Sequence, residues 1–174
     1  SALASKSLLV GVARAGSRLV AVGQRGHIVG SDAGGATWTQ AQVPVSSDLT
    51  AVTFVNDSKG WAVGHDGVIL NTTDGGRTWS LQLDGRKANA QLVAHMQARA
   101  AANASSSVHK QLLAEAMRFQ EQGADKPFLD VWFADESNGY AVGAYNLIVR
   151  TADGGKTWEP LFDQTDNTKL LNLY

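Results

Sequence analysis

"TTDGGRTW" occupies residues 72–79, and nearly the same eight letters return as "TADGGKTW" at 151–158 and, more loosely, as "SDAGGATW" at 31–38. Each copy ends in tryptophan, at positions 38, 79 and 158, so the intervals are 41 and 79 residues. The second interval also becomes 41 once 38 residues are set aside as an insertion. Longer copies surround the octets, at residues 8–44, 49–85 and 128–164. A period of this size means one small unit made several times, whose apolar faces are buried only by stacking on its neighbours.

Inside each copy the pieces read as strands. "LTAVTFV" (49–55) and "FLDVWFA" (128–134) are nearly continuous apolar runs, expected of a strand buried on both faces. "LVAVG", "GWAVG" and "GYAVG" form a second strand whose small residues let neighbouring units approach. "VILNTT" and "LIVRTA" form a third. In the fourth, Trp79, Leu81 and Leu83 are expected on one face, with Ser80 and Gln82 on the other. The octet is then the turn between strands three and four. Asp74 and Asp153 accept from turn N–H groups, and the glycines, Gly76 and Gly155 among them, permit positive φ. Thr78 and Thr157 bond locally, and Trp79 and Trp158 pin the turn. This is the Asp-box, or BNR repeat. In the first copy, with Thr37 and Trp38, the Asp slot holds Ala33 and Asp32 stands one place early, so a differently bonded turn is expected. These residues are read as structural.

Four strands make a blade, and blades around an axis make a β-propeller, which closes with roughly four to eight of them. The fold class is therefore all-β, a partial propeller of Asp-box blades. "LLNLY" at 170–174 reads as the first strand of a further blade. Two expectations follow: the residues are the N-terminal half of a longer protein, or copies self-associate through open blade faces.

Residues 86–126 break the pattern with Ala, Gln, Lys and Arg, all good helix formers. Leu92, Val93, Met96 and Ala100 recur at helical spacing, as do Val108, Leu112, Ala116 and Phe119. "NASSS" (103–107) reads as a break with a second N-cap, and Gly123 as a stop, giving an α-helical hairpin. Because it follows a fourth strand, it emerges at the end opposite the Asp-boxes. The turns after each second strand share that end and vary between copies, as binding loops do on a constant scaffold. The candidate partner face is accordingly Arg25, His27, His65, Asp66, Tyr145 and Asn146, with Arg99, Lys110 and Arg118 of the hairpin. The insertion carries six Lys/Arg against three acids. Such a hairpin could dock an acidic partner, lie on its own body, or present a solvated face.

Net charge is −1 and charged residues are 18%, which does not call for nucleic acid as a partner. There is no cysteine, hence neither disulfide nor thiolate metal site, and no apolar run near the roughly 20 residues of a membrane span. His95 and His109 without a third ligand make no metal site. No catalytic residue and no cofactor is assigned. Asp-boxes also occur in sialidases, so a glycan-binding protein or glycoside hydrolase is the alternative. The Arg-Ile-Pro segment of those enzymes is missing, and no carboxyl pair suited to retaining hydrolysis stands out.

"GWAVGHDGVILNTTDGGRTW" (60–79) and "GYAVGAYNLIVRTADGGKTW" (139–158) resemble the photosystem II stability/assembly factor family, propellers of Asp-box repeats. The resemblance implies a non-enzymatic scaffold that helps assemble a membrane-protein complex through protein contacts. It also implies an exported protein, in the thylakoid lumen or, for a bacterial relative, the periplasm.

Overall fold

The computed structural model describes residues 7–164. Residues 170–174, expected to open a further blade, lie outside them. Three four-stranded antiparallel sheets follow one another, each with its strands in chain order. The first blade has β1 (Leu9–Ala15), β2 (Arg18–Gly23), β3 (Ile28–Ser31) and β4 (Thr39–Gln40). The second has β5 (Leu49–Phe54), β6 (Gly60–Gly64), β7 (Ile69–Thr72) and β8 (Ser80–Leu83). The third has β9 (Phe128–Phe133), β10 (Gly139–Gly143), β11 (Ile148–Thr151) and β12 (Glu159–Pro160). Between β8 and β9 stand two helices, α1 (Gly85–Ala102) and α2 (Ser107–Gln122).

The core lies between the sheets. Each blade turns one face, here called leading, toward the next blade, and a trailing face toward the one before. Val20, Val22 and Ile28 of the first blade meet Val52, Phe54, Leu70 and Trp79 of the second. Trp61, Val63 and Ile69 of the second meet Val131, Phe133, Val149 and Trp158 of the third. Trp61 lies flat on Phe133, ring centres 3.4 Å apart and 6° from parallel, and its Nε1 donates to the Gly154 carbonyl at 3.3 Å. The glycines of the second strands make room within a blade and not, as expected, between blades: a Cβ on Gly60 or Gly139 would lie 2.5 Å from the Phe54 or Phe133 ring of its own blade.

Three further expectations are corrected. Leu9, not Leu8, takes the place of Leu49 and Phe128, since Leu9 is opposite Gly23 as Leu49 is opposite Gly64 and Phe128 opposite Gly143. The tight connection from Ala15 to Arg18 makes that blade's first turn one residue shorter. Leu81 does not share a face with Leu83. A register shift sets Leu83 opposite Ile69 but Leu81 opposite Leu70, and adjacent residues of one strand face opposite ways. Finally, of the two first strands expected to be buried on both faces, β5 alone has a blade on each side among the described residues; on β9, Leu129 and Trp132 are exposed.

The hairpin starts one residue earlier than expected, at Gly85, because the Asp84 carboxylate accepts from the Lys87 N–H at 2.8 Å and caps it. Ser106 caps α2, and Gly123 ends it at φ 90°. Leu92, Val93, Met96, Ala116 and Phe119 form the helix–helix seam and close over Phe162, just past β12. Val108, at the tip, is exposed instead of packed.

Candidate partner-binding faces

The two ends of the stack are built differently. At one end, the Thr72 hydroxyl accepts from the Gly76 N–H at 3.0 Å. One Asp74 oxygen accepts from the Arg77 and Thr78 N–H groups at 2.9 and 3.0 Å, and the other accepts from the Thr78 hydroxyl at 2.6 Å. In the third blade, Asp153 takes the Thr157 N–H at 2.9 Å and its hydroxyl at 2.6 Å. The Thr157 hydroxyl and N–H hold the Asp153 carboxyl down at about 2, against a small desolvation penalty. For Asp74 desolvation is the largest single influence and acts upward, yet the bonds from Thr78, Thr72 and Arg77 together outweigh it and the pKa is lowered. These carboxylates are spent on their own turns, which leaves them poor groups for proton transfer.

The first blade departs from this. Ser31 Oγ still accepts from the Gly35 N–H at 2.9 Å, but among the described residues no carboxylate bonds Thr37. Asp32, expected as part of that Asp-box, instead bonds the buried Arg18 and lies 3.5 Å from Arg77 of the neighbouring blade. It ties two blades together, because Ala33 occupies the position from which an oxygen could reach the turn. Trp38, Trp79 and Trp158 are 41%, 6% and 4% exposed. Trp38 and Trp79 make the same local bond, from indole N–H to the carbonyl of Gly35 or Gly76. What differs is the blade that covers them.

At the other end, each second strand leads into a tight turn with a non-glycine residue in the left-handed region: Arg25 and Asp66 at φ 57°, Tyr145 at φ 57° and Asn146 at φ 62°. Recurrence in all three blades marks this geometry as part of the blade, not as strain reserved for one site. The candidate residues are largely engaged within the chain. The Arg25 N–H donates to Asp48 at 2.8 Å, His27 Nδ1 is hydrogen-bonded to the Ser7 hydroxyl at 2.6 Å, and Asp66 accepts from the Ser47 hydroxyl at 2.6 Å. The His65 N–H donates to the Asp48 carbonyl at 2.8 Å while its ring is exposed.

The hairpin folds over this end of the second and third blades. A Cβ on Gly67 would meet Gly85 Cα at 2.6 Å, so turn and helix start are in direct backbone contact. Phe119 packs edge-on against Tyr145 with centroids 6.0 Å apart. The buried Lys126 sets its ammonium over both rings, at 5.2 and 5.0 Å. Arg99 donates to Asp163 at 2.5 Å and His95 bonds the same carboxylate at 2.9 Å, fastening α1 to the third blade. Arg118 pairs with Glu115. Lys110, in the first turn of α2, is exposed with no side-chain partner among the described residues. So the hairpin lies on its own body through Arg99 and Lys126, and offers Arg86, Lys87 and Lys110 outward.

The open blade faces expected from the sequence are present as two exposed apolar faces, whose residues the sequence reading did not name. One is the leading face of the third blade, with Trp132, Tyr140 and Val142; the other is the trailing face of the first, with Val10 and Val12. Their signal was present in the copy alignment, since Tyr140 occupies the slot of the buried Trp61. Among the described residues no three His, Asp or Glu side chains gather in a metal-binding group, and no helix is long and apolar enough to cross a membrane.

This architecture has known relatives. The Synechococcus sp. (strain RCC307) photosystem II assembly lipoprotein Ycf48 is 48% identical over 40 residues, 23% of this chain and 12% of that protein. The chloroplastic photosystem II stability/assembly factor HCF136 of Cyanidioschyzon merolae is 43% identical over 47 residues, 26% of this chain and 11% of that protein. A solved structure described as YCF48 bound to D1 peptide superposes with a TM-score of 0.59 at 19% identity, covering 89% of this chain and 40% of that one. YCF48 from Cyanidioschyzon merolae gives 0.54 at 19%, covering 87% and 39%. The chain thus spans well under half the length of these relatives, and the structural match speaks for the propeller fold alone. The model of the photosynthesis system II assembly factor YCF48 family matches residues 17–101 and 110–172, and the chain belongs to that family.

Proposed function

We propose that the chain is part of a non-enzymatic scaffold that holds a protein partner, a subunit of a membrane complex, during assembly. The surface assigned to the partner is the end carrying the second-strand turns and the hairpin. The observation that supports it is the contrast between the ends. Asp-box carboxylates are consumed by their own turns, whereas at the opposite end a basic hairpin is clamped beside turns that differ in every blade. The relatives' names, assembly factors and one bound to D1 peptide, point to the same class of role. Arg86, Lys87 and Lys110 supply positive charge to steer an acidic segment onto this end, with Arg25 and His65 exposed on the adjoining turns. The compartment proposed is an exported one, the periplasm or a thylakoid lumen, in line with relatives named as a lipoprotein and as chloroplastic.

The test replaces residues 88–123 by a short Gly/Ser link, together with Phe162→Gln to spare the residue the hairpin covers. The blades should keep their strand signal in circular dichroism. Capture of one membrane complex from a solubilised membrane fraction, identified by mass spectrometry, should fall at least about tenfold. Unchanged capture removes the hairpin from the contact. Turnover of a fluorogenic sialoside by the intact chain would favour the glycosidase alternative.

A further inference from the structure

We propose that Tyr145 anchors the partner: its ring takes a proline of an extended acidic segment and turns basic segments away. The inference rests on the function proposed above, since it names the contact on the end assigned there. It starts from the turn after β10. All three blades make this turn with two successive left-handed residues, and what differs is the residues placed in it. The first and second blades have Arg25-Gly26 and Asp66-Gly67, so glycine takes one of the two positions. The third has Tyr145-Asn146, at φ 57° and 62°, with no glycine. A bulky ring in the left-handed region is held against the preference of its backbone. Mooring the hairpin does not account for it. Phe119 is buried and already meets Phe162 edge-on, with centroids 6.0 Å apart, yet Tyr145 is 46% exposed. The position itself is an exposed one. Arg25 and Asp66 hold it in the other blades and are exposed, although Val45 and Gly85 of the following chain lie against the glycines beside them.

What lies under the ring decides what can lie on it. The Lys126 ammonium stands 5.0 Å from the Tyr145 centroid, fixed there by Gln122 Oε1 at 2.9 Å and by Asp125. Arg118 brings a second cation over Phe119, 5.8 Å from its centroid. Asp125 and Glu115 pair with these two, but the insertion as a whole keeps six Lys/Arg against three acids. A ring that already serves an ammonium gives little to a second cation on its open side, because the like charges repel. A carboxylate beside it is attracted instead. The open part of one fixed ring is a flat apolar platform and not a pocket. The proline ring of an extended segment lies on such a surface at low ordering cost, as proline-rich segments do in aromatic-lined grooves. Tyrosine is also among the residue types that dominate the energy of protein contacts.

Three synthetic peptides capped at both ends, Asp-Glu-Pro-Asp-Glu, Asp-Glu-Ala-Asp-Glu and Lys-Lys-Pro-Lys-Lys, are titrated into the ¹⁵N-labelled whole chain. Shift changes should centre on Tyr145 and Asn146, with the acidic proline peptide bound at least about fivefold tighter than the other two. Tyr145→Gly suits the left-handed backbone and should weaken that peptide about tenfold or more. Hydrogen exchange of α1 and α2 checks that the hairpin stays moored. Where it does not, Tyr145→Leu covers Phe119 without a ring and should weaken binding in the same way. Equal affinity for the basic peptide overturns the proposal, as does binding that ignores both substitutions or shifts that centre elsewhere. The titration reads this contact without the membrane complex. If it fails while the hairpin replacement still abolishes capture, this inference falls and the function proposed above stands.

Discussion

A single carboxylate shows what the repeated octet does. Asp153 sits with a folded pKa of about 2, held down first by the Thr157 hydroxyl. A depressed carboxyl contributes stability that is present above its unfolded value near 3.9 and lost as pH falls through its folded value. We therefore expect Asp153→Asn to lower urea stability by about 1 kcal/mol at pH 6, with the gap to the parent protein shrinking between about pH 4 and pH 2. A gap unchanged across that window would mean the carboxylate is not ionised against these donors. The first blade offers the converse. Ser31 and Thr37 are in place there and only the acid is missing, so Ala33→Asp should raise stability by about 1 kcal/mol, read as a higher urea midpoint at constant slope. That this turn departs from the others was legible in the letters. Where Asp32 goes instead was not, because its close partner Arg18 reaches it only through the pairing of β2 with β3, and its second, Arg77, is 45 residues away across a blade junction.

The elements were legible to different depths. Helix caps and stops are local chemistry, so the Ser106 cap and the Gly123 stop could be read directly, and both stand. The bulge opposite Ile69 and Leu70 is a matter of register, set by how β8 leaves the Asp-box and not by its own alternation, and Leu81 was misplaced for that reason. The hairpin was legible as two helices, but its mooring was not: Phe162, Asp163 and Tyr145 come from the third blade and its margin. Phe119 touches Phe162, Tyr145 and the Lys126 ammonium together. Phe119→Ala should cost about 3 to 5 kcal/mol of local stability. In hydrogen exchange, α1 and α2 should lose protection while β5 to β7 keep theirs. Loss spread evenly over the blades would mean that hairpin and sheets form one cooperative unit.

At the scale of the whole molecule, three sheets stand in a row and each junction is a core of its own. This explains why equivalent residues differ so much in exposure. Val20 and Trp61 are buried and Tyr140 is not, while Trp79 and Trp158 are buried and Trp38 is not. Each is covered if a blade stands on the correct side of it. The repeat period gave the units, but which face of a strand looks forward or back depends on pairing, and the one-residue slip in β1 hid the slot shared by Arg14, Phe54 and Phe133.

The five tryptophans test that order most directly. Each is replaced by 5-fluorotryptophan and followed by ¹⁹F NMR while a soluble paramagnetic agent is titrated. The stacked arrangement predicts strong broadening of Trp38 and Trp132 and little change at Trp61, Trp79 and Trp158. Equal broadening of all three Asp-box tryptophans, or an accessible Trp61, would contradict it.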